Sequence, residues 1–159
     1  MTDPHVIRPL GFDTHIAPFA FQHYARDFFD AYRKHKGGPP FSPARLFLIT
    51  RSIELAAKAL HLQRGGKFAD VSSLGHDLLR ACEAEALQHF GIQLTDVEKQ
   101  ELNKANAYYE RKGFEYFLYR APNIAPDRSG PHKALSGWPD LPDEPALESV
   151  LTKLLEPKL

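Results

Sequence analysis

The sequence predicts an all-α fold, and three observations carry that prediction. Apolar residues recur at helical spacing in four or five segments, glycines or prolines close most of those segments, and no two stretches alternate like paired strands. Elements of this kind bury their apolar faces most simply as a helical bundle. Residues 1–17 hold two prolines and few periodic apolar residues and read as an N-terminal arm. From Pro18, Phe21, Tyr24, Phe28, Phe29 and Tyr32 recur at helical spacing, predicting an amphipathic helix to about Lys36. Gly37, Gly38, Pro39 and Pro40 break it.

The second predicted helix opens with Ser42 as N-cap and Pro43 in the first turn, where a missing N–H costs nothing. Leu46, Phe47, Ile49, Ile53, Ala56, Ala57 and Leu60 follow, apolar nearly all round, so this helix is expected at the centre; Gly65 and Gly66 stop it. Lys67 to Ser72 reads as a linker into a third helix, Leu74 to Phe90, with Leu78, Leu79, Cys82, Ala86 and Phe90 inward. Thr95 and Glu98 make a capping box for a fourth helix, which carries Leu102, Ala105 and Tyr109 and runs to Gly113. Residues 114–119 alternate weakly and fit either an extended segment or more helix. Residues 120–142, rich in Pro, Gly, Asp and Ser, read as a long loop anchored by Trp138. Residues 143–157 form a last short helix, capped by Asp143, that packs on the same domain through Leu147, Val150, Leu151, Leu154 and Leu155.

Composition narrows the function classes. The 159 residues suffice for one domain, and a hydrophobic fraction of 43% is too high for a disordered chain. No apolar run approaches the roughly 20 residues that cross a bilayer, and the N-terminus lacks the pattern of a secretory signal, so a cytoplasmic protein with no membrane association is expected. Twenty basic residues balance 20 acidic ones, so nucleic-acid binding would need a local patch. A single cysteine, Cys82, excludes an internal disulfide framework and a cysteine-rich zinc site, and it is expected to pack as a small hydrophobe. The histidines form no larger motif of convergent metal ligands, so neither a metal nor another cofactor is expected.

Two short stretches carry chemistry. Arg51, Glu54 and Lys58 lie three and four residues apart, with the acid ahead of the lysine, the favourable order for an i,i+4 pair. On a helix otherwise apolar, that stripe faces either a polar seam between helices or a cleft. Gly75-His76-Asp77-Leu78 places a titratable ring and a carboxylate at the opening of the next helix, where negative charge meets the positive end of the dipole.

Ile53-Glu54-Leu55-Ala56-Ala57-Lys58-Ala59-Leu60, a short linker and then Gly75-His76-Asp77-Leu78-Leu79 resemble the central helix pair of HEPN proteins. Asn106 to Tyr116, with its tyrosines, is similar to a downstream segment of some members; the likeness spans about residues 18–119. The resemblance implies an antiparallel four-helix bundle, often a homodimer. It implies a module that binds RNA, a nucleotide or a protein partner such as a nucleotidyltransferase or an antitoxin, with Arg51, Glu54, Lys58, His76, Asp77, Tyr109 and Arg111 as ligand-binding candidates. Some members are metal-independent RNases of toxin or defence systems, for which His76 is the catalytic candidate here.

The RNase members carry an arginine and a histidine with four to six residues between them. Of the ten arginines and eight histidines, only Arg8 and His15 fit, and they lie in the arm instead of a late helix. A non-catalytic module is therefore the leading reading. The plainer readings are an ion-pair network for Arg51, Glu54 and Lys58, a locally satisfied ring for His76, and packing for the tyrosines. A purely structural or regulatory protein-interaction domain is the third alternative.

Overall fold

A computed structural model describes residues 13–38, 42–115 and 141–157. Among these residues the chain is all-α: seven helices form and no strand. They are α1 (Asp13–Lys34), α2 (Pro43–Gln63), α3 (Phe68–Ser73), α4 (Leu78–Ala81), α5 (Ala84–Gln88), α6 (Asp96–Tyr109) and α7 (Glu144–Leu155). None is long and apolar enough to cross a membrane.

Helix α2 is the axis of the fold, and each of the other six helices packs against it. Ser42 Oγ accepts the Arg45 N–H at 3.3 Å, and Pro43 occupies the first turn, so the start is built as its sequence requires. Every residue from Ser52 to Leu60 is buried, which is why this stretch is apolar on all sides except for Ser52 and the Glu54–Lys58 pair. The stop after Arg64 needs glycine: a Cβ on Gly66 would lie 2.6 Å from the carbonyl oxygen of His61.

Helix α1 begins at Asp13, inside the stretch read as an arm, and carries Pro18 within it. Gln22, Ala25, Phe29 and Tyr32 form its buried line, at steps of three and four. Tyr24 falls between those positions and is 59% exposed, so it is not part of the inner face the sequence suggested. Ala25 lets α1 approach α2 closely, and Ser52 Oγ donates to the Ala25 carbonyl at 2.6 Å inside the contact.

The region between α2 and α6 departs most from expectation. The supposed linker contains α3, whose Asp70 carboxylate accepts the Lys67 N–H at 3.1 Å and whose Val71 is buried. The supposed single third helix is two short ones, because Asp77 (φ −82°, ψ 101°) and Glu83 (φ −56°, ψ 139°) adopt non-helical backbone. Helix α4 turns Leu78 and Ala81 inward, Cys82 is buried just after it, and Leu79, expected inside, is 39% exposed.

Helix α6 starts on the Thr95–Glu98 capping box and buries Leu102, Ala105 and Tyr109, but it ends at Tyr109, before Gly113. Helix α7 is capped by Asp143 and buries all five residues of its predicted apolar face. Glu98 joins it to α6: Lys153 Nζ lies 2.7 Å from its carboxylate and Ser149 Oγ donates to it at 2.7 Å. Burial opposes charge on Glu98, but the bonds from Lys153, Ser149 and the Thr95 N–H prevail and hold its pKa down at about 2. Phe114 is buried. Most of the 120–142 loop, Trp138 included, and residues 116–119 lie outside the described residues.

Candidate functional site

The charged stripe of α2 meets the turn before α4 and the end of α6. Glu54 is 1% exposed, and its carboxylate receives four donors from three parts of the chain. Oε1 accepts Lys58 Nζ at 2.5 Å. Oε2 accepts Arg51 Nη1 at 2.9 Å, His76 Nδ1 at 3.2 Å and the Tyr109 hydroxyl. Lys58 Nζ also donates to the Gly75 carbonyl at 2.6 Å. Gly75 supplies that carbonyl from a left-handed backbone (φ +56°), a conformation glycine adopts without strain. The His76 ring stands edge-on to Tyr109, with centroids 5.7 Å apart.

The electrostatics follow from that geometry. Burial alone would neutralise Glu54, yet the bonds from Lys58 and Tyr109 and the positive charges of Arg51 and Lys58 outweigh it, so its pKa is lowered and it stays ionised at neutral pH. Burial, and then the adjacent Glu54 charge, push the Tyr109 hydroxyl well above its ordinary range, which keeps it a donor. Burial also works against the Arg51 charge, but Tyr109 and Glu54 more than compensate and raise its pKa.

An ionised carboxylate only accepts hydrogen bonds, so a ring nitrogen facing it carries the proton. His76 therefore presents Nδ1–H to Glu54, which leaves Nε2 as the acceptor whenever the ring is neutral. The His76 side chain is 42% exposed and that of Arg51 is 30% exposed, whereas those of Lys58 and Glu54 are 10% and 1%. The seam is thus closed on its inner side around Glu54 and open on its outer side at Arg51 and His76.

Five of the seven candidate residues come together here: Arg51, Glu54, Lys58, His76 and Tyr109. Asp77 lies beside them but is occupied as the α4 N-cap, its carboxylate accepting from the N–H groups of Leu79 and Arg80. Arg111 is exposed on the turn after α6, and no hydrogen bond or ion pair joins it to the cluster. One participant escaped the sequence. Asn106, 7% exposed, accepts the Leu78 N–H with Oδ1 at 2.7 Å and donates through Nδ2 to Asp77 at 3.4 Å. A single asparagine among the inward residues of α6 was the only available signal.

Among the described residues, three surface depressions lie away from the cluster and use none of its five residues. One, of about 410 Å³, is lined by Leu79, Cys82, Leu87 and Ile92 among others. A second lies at Gly91 and Lys153, and a third between Arg26, Arg33 and Leu155. Burial drives the Cys82 thiol up to about 12, which keeps it protonated and unreactive. Among the described residues, no group of three His, Cys, Asp or Glu side chains stands ready to hold a metal ion. No family model matches this chain, and no curated protein or solved structure matches it.

Proposed function

We propose that this chain is a HEPN-like module, an antiparallel four-helix bundle acting as a cytoplasmic homodimer, that binds RNA or a nucleotide at the Arg51–His76 edge without catalysing its cleavage. One observation carries this reading: Glu54 is saturated by four donors, while two of those donors keep an exposed side. With Glu54 negative, Arg51 and Lys58 leave the cluster with net positive charge even when His76 is neutral. A phosphate oxygen suits the free N–H groups of a half-exposed guanidinium. Glu54 and Lys58, by contrast, are committed to each other, so neither is available to move a proton during a reaction.

The test is titration of the purified protein with labelled RNA and nucleotides. Binding is expected, and R51Q and H76Q, each shown to be folded, should weaken it roughly tenfold, equivalent to about 1.4 kcal/mol. If neither RNA nor nucleotide binds, the ligand reading falls and an interaction domain for a protein partner takes its place. A stoichiometric nucleotidyltransferase or antitoxin copurifying from the host would then identify the partner.

A second reading is a metal-independent RNase with His76 Nε2 as general base and Arg51 as phosphate stabiliser. The exposure of His76 favours it. RNA cleavage that disappears in H76Q would select this reading over the first.

A further inference from the structure

His76 sits on a turn held from both sides by buried side chains of other helices. On the N-terminal side, Lys58 of α2 donates to the Gly75 carbonyl at 2.6 Å. On the C-terminal side, Asn106 of α6 accepts the Leu78 N–H at 2.7 Å. Leu78 is 0% exposed, and its N–H is the first of α4, a group with no partner inside the helix. The Asp77 carboxylate is already used on Leu79 and Arg80. Without Asn106 the Leu78 N–H would be buried and unsatisfied unless the turn moved.

We infer that Asn106 is a positioning residue: by holding Leu78 and Asp77 it fixes the turn so that His76 keeps Nδ1–H on Glu54 and offers Nε2, which bonds no other described residue, as the acceptor. A turn free to shift relieves Leu78 by moving towards solvent, and His76 moves with it. The ring then leaves Glu54, and its proton returns to the Nε2–H form usual for an unconstrained imidazole. Only the importance of this edge rests on the function proposed above; the positioning itself is read without any ligand. Failure of RNA or nucleotide to bind would therefore leave the inference standing, and its own failure would leave the binding test standing.

The experiment is ¹⁵N NMR of the His76 ring in the ligand-free full chain, at a pH where the ring is neutral, with circular dichroism to establish folding. The unmodified protein should show Nδ1 protonated and Nε2 unprotonated. N106L removes both polar contacts and should shift the ring towards the Nε2–H form, with loss of amide-exchange protection at Leu78. Combining N106D with D77N exchanges carboxylate and amide between the two positions, so that the Leu78 N–H again finds an acceptor at position 106 and the contact between the two side chains re-forms with donor and acceptor reversed. That pair should restore the Nδ1–H form. A role in stability alone would lower the melting temperature in N106L and leave the tautomer unchanged, and that result would overturn the inference. So would an Nε2–H ring in the unmodified protein. If N106L does not fold, N106A decides by the same readout: a folded protein shifted towards the Nε2–H form supports the inference, and one that keeps the Nδ1–H form refutes it.

Discussion

The start and the middle of α2 use charge differently. Near its N-terminus, Arg45 gives Nε and Nη2 to the Glu144 carboxylate, at 2.8 and 2.7 Å, and Nη1 to the carbonyls of Tyr32 and His35. Its guanidinium also lies 4.1 Å from the centre of the Tyr32 ring. The donors of Arg45 are spent on α1, the turn after it and α7, so the group works as a clamp. In the second half of the helix the saturated partner is the acid, Glu54, and its donors Arg51 and His76 keep an exposed side. An arginine with its donors committed joins helices; a saturated carboxylate whose donors are not used up makes a polar surface. That difference separates an element of the fold from a candidate site.

The contrast breaks first at Glu54. E54A leaves Lys58 buried without its counter-charge and deprives Tyr109 of its acceptor, so it should cost about 3–5 kcal/mol in urea unfolding. R45A removes a part-exposed ion pair, two carbonyl bonds and a ring contact, and should cost less, about 1–2 kcal/mol. Equal losses would erase the distinction between the two regions.

Acid titration sharpens it further. The folded-state pKa of Glu98 is depressed from 4.5 to about 2, so its stabilising contribution is complete above about 4.5 and is lost as the pH falls towards 2. Glu54, also depressed, acts in the same direction. Unfolding free energy should therefore decline below about pH 4.5, and E98Q should flatten that decline, as measured by urea unfolding across the range. The smallest effect belongs to Leu79: because it faces out of α4, L79K should change stability by no more than about 0.5 kcal/mol.

What the sequence made legible follows physical range. The Arg51, Glu54 and Lys58 stripe is an i,i+3 and i,i+4 relation within one helix, and the caps at Ser42, Thr95 and Asp143 act over three residues. Long-range partners left no such trace. The Arg45–Glu144 pair spans 99 residues, and the acceptor for Lys58 on Gly75 is a backbone carbonyl, which no residue type announces. Leu78, Cys82 and Ala86 keep helical spacing in sequence and so conceal the splitting of the third helix, although Glu83 interrupts it between them. Arg111 follows Tyr109 by two residues in sequence, but α6 ends at Tyr109 and Arg111 is exposed on the turn beyond it.

The most direct test of the Glu54 hub is a double-mutant cycle between E54Q and Y109F, read by urea unfolding. Lys58 is on the same helix as Glu54 and would couple to it in any fold, whereas Tyr109 is 55 residues away and couples only if α6 brings its hydroxyl to the carboxylate. A coupling energy of about 1–3 kcal/mol is expected. Additivity within about 0.5 kcal/mol would mean the two groups do not meet, and would contradict the account.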